Sequence, residues 1–90
     1  MSATRTVDIC NERGLHARAS AKFVKLASGF DAEVTVSKDG SRVDARSIMG
    51  LMMLAAGPGC QVEISAEGPD AENAVEALAA LVSARFDEDR

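Results

Sequence analysis

The chain predicts an α+β fold, an antiparallel sheet with helices on one face, and three observations carry that expectation. Strand-like alternation and helix-like spacing of apolar residues follow one another in the order strand, helix, strand, strand, helix, strand, helix. Two of the strands are joined by Lys38-Asp39-Gly40-Ser41, an Asp-Gly hairpin signal. The remaining connections run through helices, so the helices cover a sheet instead of forming a bundle of their own. At 90 residues, without linker or repeat, the chain is expected to be one domain, 1–90. Pattern alone leaves an open-faced sandwich and a ferredoxin-like arrangement both open.

Each element has its own reason. Residues 4–10 read as the first strand, with Val7 and Ile9 inward and Cys10 turned to the other face. Residues 11–15 form a loop. The first helix is expected over about 17–28, burying Ser20, Ala21, Phe23, Val24 and Ala27 and presenting Arg18, Lys22 and Lys25 as a short basic stripe; Gly29 follows as a stop. Residues 32–37 alternate, with Ala32, Val34 and Val36 on the inner side, and a short strand with Val43 spans about 41–45. Ser47 is placed to cap a short helix over 48–54. Gly57-Pro58-Gly59 breaks the chain, and Cys60, Val62, Ile64 and Ala66 then alternate as a fourth strand. Asp70 is expected to cap the last helix, about 71–86, whose stripe is Ala71, Ala74, Val75, Leu78, Leu81, Val82 and Phe86. Residues 87–90 are expected to be a frayed tail.

Composition narrows the function. A formal charge of −4 with neither Trp nor Tyr argues against nucleic acid as a partner. There is no apolar run of about 18 residues, so no membrane span is expected. Met1-Ser2-Ala3-Thr4-Arg5 lacks the apolar core of a signal peptide, and a cytoplasmic location is expected. Cys10 and Cys60, on opposite faces by strand parity, are expected to be free thiols. One histidine and two separated cysteines make no metal-ligand cluster, and no metal or cofactor is expected.

The chemistry concentrates in Arg13-Gly14-Leu15-His16-Ala17-Arg18-Ala19-Ser20, which holds the only histidine. Helical spacing begins directly after His16, so the ring sits where a loop becomes a helix. Free N–H groups and the positive end of the helix dipole make such a start a site for an anion. Arg18, two residues on, can pair with phosphate oxygens. An imidazole, an anion hole and a guanidinium thus fall together.

Gly14-Leu15-His16-Ala17-Arg18 resembles the signature of the HPr family, histidine phosphocarriers of the bacterial phosphoenolpyruvate-dependent phosphotransferase system. A second block, Ser47-Ile48-Met49-Gly50-Leu51-Met52, resembles the family's regulatory serine segment, and the resemblance runs over nearly the whole chain. It implies the open-faced sandwich with sheet order 1-4-2-3 and three helices on one face. It implies that His16 accepts a phosphoryl group through Nδ1 from phosphorylated enzyme I and passes it to a IIA-type protein, a relay more than a true enzyme. Arg18 would assist, with backbone N–H groups of Ala17 and Arg18 receiving phosphate oxygens. Ser47 would be a target of HPr kinase/phosphorylase, and beyond its plain role as a helix cap this rests on the resemblance. Ile48, Met49 and Met52, beside Ala17, Arg18, Ala21 and Lys25, would form the docking patch; Leu51 is expected in the core instead. Ala19 stands where many family members carry proline, which bears on the first turn's rigidity and hints at a nitrogen-type or regulatory branch. The alternative is a regulatory binding module of the same fold, controlled at Ser47 without histidine phosphotransfer. The pairing of His16 with Arg18 favours the carrier.

Overall fold

The computed structural model describes residues 1–89. Strand β1 (Ser2–Asp8) is followed by α1 (Ala17–Ala27), β2 (Glu33–Lys38), β3 (Ser41–Asp44), α2 (Ile48–Met53), β4 (Gln61–Glu67) and α3 (Ala71–Ser83), with a 3-10 turn at Arg85–Asp87. The four strands form one sheet in the order β1-β4-β2-β3. Every neighbouring pair is antiparallel, with Val7 opposite Val62 and Val36 opposite both Ile64 and Val43. The order 1-4-2-3 removes the ambiguity that pattern alone left.

Alternation does the sorting. Val7, Val34, Val36, Val62, Ile64 and Ala66 are buried on one face of the sheet. Thr4, Thr6, Glu33, Glu63 and Glu67, in the other phase, are exposed. The helices close the buried face: α3 packs along β1 and β4, and α1 packs against α2 and α3. Phe23, Leu51, Leu78 and Val82 fill the space between. Leu51 is fully buried, as its place in the short helix predicts. The two cysteines are free, Cys10 exposed and Cys60 half-buried beside the core.

Five local expectations need correction. The first strand is Ser2–Asp8, so it starts earlier than 4 and ends before 10. Ala21 is exposed, and Ala19 takes its place on the buried face of α1. The α2 helix ends at Met53. Asp70 makes no cap bond, because its carboxylate instead accepts the backbone N–H of Asp31 at 2.9 Å, tying the start of α3 to the chain after α1. The last helix ends at Ser83 and does not reach residue 86. Arg85, Phe86 and Asp87 all adopt left-handed backbone angles, with φ of 58°, 54° and 62°. The turn seats the Phe86 ring fully in the core and packs against α1. Of the expected frayed tail, Asp87 and Glu88 are folded back in this way, Asp89 is exposed, and Arg90 lies outside the described residues. None of the described helices is long and apolar enough to cross a membrane.

Candidate functional site

The loop before α1 is held by a buried asparagine and by a contact with a distant loop. Asn11 is fully buried, and its amide donates to the Gly14 carbonyl at 2.9 Å while the Gly14 N–H donates to the Asn11 carbonyl at 3.2 Å. Leu15 N–H donates to the Ala56 carbonyl, in the connection between α2 and β4, at 2.9 Å. Gly14 is required at the crossing. Its φ is +63°, and a Cβ there would lie 2.2 Å from the Ala56 oxygen.

His16 is itself the N-cap of α1, with extended backbone angles (φ −77°, ψ −177°). Its carbonyl accepts the first helical bond from Ser20 N–H at 2.9 Å. Its Nδ1 accepts the backbone N–H of Arg18 at 3.3 Å. A ring nitrogen that accepts carries no proton, so the ring proton is on Nε2. Nε2 lies 2.6 Å from Oε2 of Glu88. The ring is partly exposed, at 23%, and the Glu88 side chain is 15% exposed. Asn11 reappears here, because its amide also donates to Oε1 of Glu88 at 3.0 Å. That bond, together with His16 and the nearby positive charge of Lys22, holds the Glu88 carboxyl below its ordinary value of 4.5 against the opposing cost of burial.

The His16–Glu88 pair lies between two depressions, Glu88 bordering one and the ring the other. On one side is a polar groove of about 590 Å³ bordered by Arg13, Arg18, Lys22 and the acidic segment 87–89. On the other is a shallow hollow of about 290 Å³, in which His16 meets Leu15, Met52 and Ala56. Arg18, Ala17, Ala21 and Lys25 are exposed on α1. On α2, Ile48, Met49, Met52 and Met53 are 41%, 71%, 40% and 78% exposed. Packing of α1 on α2 therefore brings the expected basic and apolar groups onto neighbouring helices, and Met53 adds the most open side chain of the four. Ser47 caps α2: its Oγ accepts the Gly50 N–H at 3.0 Å. No three or more His, Cys, Asp or Glu residues converge as a metal site among the described residues.

Sequence reasoning missed Glu88, Asn11 and Ala56. Asn11 had a weak signal, as a small polar residue between a strand and a glycine. Glu88 and Ala56 had none, because nothing local marks a residue that acts across the fold.

The fold and the site define a class, small open-faced sandwiches that present a histidine ring at the mouth of a helix with one nitrogen turned to the helix start. Comparison with known proteins makes this specific. The family profile described as the PTS HPr component phosphorylation site matches residues 3–84. The phosphocarrier protein HPr of Cupriavidus necator is 52% identical over 84 residues, which cover 93% of this chain and 94% of that protein. The phosphocarrier protein NPr of Escherichia coli K12 is 43% identical over 90 residues, covering 99% of this chain and 100% of that protein. The crystal structure of HPr-C-His from Thermoanaerobacter tengcongensis superposes with a TM-score of 0.93 at 44% identity, over 98% of this chain and 99% of that one. The chain belongs to the HPr family of phosphotransferase-system phosphocarriers.

Proposed function

We propose that this protein carries a phosphoryl group on Nδ1 of His16, taking it from phosphorylated enzyme I and yielding it to a IIA-type protein in the cytoplasm. The observation that supports this reading is the orientation of the ring. Nδ1 holds its lone pair toward the first turn of α1, while the proton is held at Nε2 by Glu88. The lone pair attacks phosphorus, the donor's P–N bond breaks, and the donor ring keeps that electron pair. The incoming group displaces the Arg18 N–H from Nδ1 and gives it, with Ala17 N–H, a phosphoryl oxygen to bind at the positive end of the helix. The exposed Arg18 guanidinium neutralises further charge. Such stabilisation stays moderate, because a carrier must release what it holds.

Ala17, Ala21 and Lys25, with Ile48, Met49 and Met52, form the docking face for both partners in this reading, an adaptable methionine surface edged by positive charge. Phosphorylation of Ser47 by HPr kinase/phosphorylase would place negative charge at the start of the helix that carries that face. The test is incubation with enzyme I and phosphoenolpyruvate followed by intact-mass analysis. The expected product carries one acid-labile phosphate, and His16→Ala carries none. A charged His16→Ala variant refutes the assignment.

A further inference from the structure

The chain turns sharply to bring Glu88 to His16. Arg85, Phe86 and Asp87 are left-handed without being glycine, a conformation that costs about 1 kcal/mol or more per residue. The fully buried Phe86 ring anchors the turn, and Lys22 Nζ donates to the Phe86 carbonyl at 2.7 Å. Glu88 then has both oxygens engaged, Oε1 by the Asn11 amide at 3.0 Å and Oε2 by His16 at 2.6 Å. Asn11 is fixed in its own orientation. Reversing its amide would set oxygen against the Gly14 carbonyl and the Glu88 carboxylate, two groups that only accept. The asparagine Oδ1 is buried without a partner among the described residues, so the amide nitrogen's two bonds outweigh that loss. The result is a chain of contacts, Gly14 carbonyl to Asn11 to Glu88 to His16, that links the loop before α1 to the tail after α3.

We propose that Glu88 is a positioning residue for phosphoryl transfer at His16: its carboxylate orients the ring and keeps the Nε2 proton in place through both halves of the relay. The proposal rests on the phosphocarrier reading above. On charging, Nδ1 forms a bond to phosphorus and the ring becomes a phosphoimidazolium, whose positive charge Glu88 faces at Nε2–H. On discharge, the P–N bond breaks toward Nδ1. The ring leaves as neutral imidazole, because Nε2 has kept its proton throughout. Without that proton the leaving group would be an imidazolate, which departs far less readily. No proton enters or leaves in either direction. A carboxylate behind the imidazole, fixing its tautomer and stabilising its charged form, has the same logic as the histidine–carboxylate pairs of metal sites and hydrolases.

Two readouts test this on the full chain. A one-bond nitrogen–proton correlation spectrum of nitrogen-15-labelled protein should show a downfield, exchange-protected Nε2–H of His16 in wild type. That resonance should be lost in Glu88→Ala and weakened in Glu88→Gln, which keeps an acceptor but no charge. Charging by enzyme I and discharge to a IIA-type protein should each slow about tenfold in Glu88→Ala, with Glu88→Gln between it and wild type. Glu72→Gln, which makes the same change in net charge at an exposed position of α3, should match wild type in both. The proposal is overturned if wild type lacks the resonance. It is also overturned if the resonance disappears while Glu88→Ala transfers within twofold of wild type, or if transfer slows while the resonance persists. Wild type that takes no phosphate at all fails the phosphocarrier reading and this role with it. Wild type that is charged alongside a Glu88→Ala that keeps pace overturns this role alone.

Discussion

Replacing Gly14 by alanine tests how the loop before α1 is held. The new Cβ would lie 2.2 Å from the Ala56 oxygen and 2.8 Å from the Gly57 Cα, both backbone atoms. To restore ordinary contact the two segments must part by about 1 Å, which takes the 2.9 Å bond from Leu15 N–H to the Ala56 carbonyl out of range. Losing that bond costs about 1 kcal/mol. Holding alanine at a φ of +63° costs about 1–2 kcal/mol more. The sum is about 2–3 kcal/mol, or about 8–24 °C in Tm for a domain of this size. Stability by urea melting and Tm by circular dichroism measure it directly. Gly14→Asn separates the two causes. Asparagine tolerates left-handed angles but carries the same Cβ, so it should still lose about 1 kcal/mol, the share of the broken bond. If both variants lose less than about 0.5 kcal/mol, the contact with Ala56 does not hold the loop. If only alanine is costly, backbone angle alone accounts for the glycine.

Three further outcomes follow from the same geometry. Arg18→Glu should slow phosphoryl transfer in both directions in a stopped-time mass assay, while Tm changes little because the side chain is exposed; normal kinetics would remove Arg18 from the mechanism. Ser47→Asp should keep the fold, since aspartate also caps a helix, yet slow charging of His16 in a way that added enzyme I partly rescues and high salt blunts. Equal charging rates across enzyme I concentrations, repeated on protein phosphorylated at Ser47, would end that coupling. The third concerns pH. The Asn11 amide, then His16, hold the Glu88 carboxyl below its ordinary 4.5, so the native state favours the carboxylate. Its contribution is present above that value and is lost as pH falls through the depressed native one. Urea midpoints of wild type and Glu88→Gln should therefore differ above pH 4.5 and converge as the pH is lowered below it; a gap that stays constant on acidification would show that Glu88 is not held in this way.

Local pattern by itself determined the order of the elements, because alternation and helical spacing are set by which side chains must leave water. It placed His16 at a helix start and Ser47 at a cap, since caps depend on neighbours three residues away. It also marked Leu51 as core and the methionines of the same helix as surplus, because a six-residue helix has too little buried face for all of them. Resemblance of two short blocks then supplied the sheet order, which pattern left open. Only the tertiary structure decided what stands behind the histidine. The helical stripe through Val82 and Phe86 reads as one continuous face, yet the backbone reverses at Arg85 and uses the Phe86 ring as an anchor. Glu88 and His16 are 72 positions apart, and Asn11 and Glu88 are 77 apart. Contacts across such distances obey no period, and a carboxylate in a run of acidic residues looks the same in sequence whether it faces solvent or an imidazole. Gly14 belongs to both accounts: its residue type was legible, but the Ala56 carbonyl that requires it comes from another loop and is set there by the packing of α2 against α1.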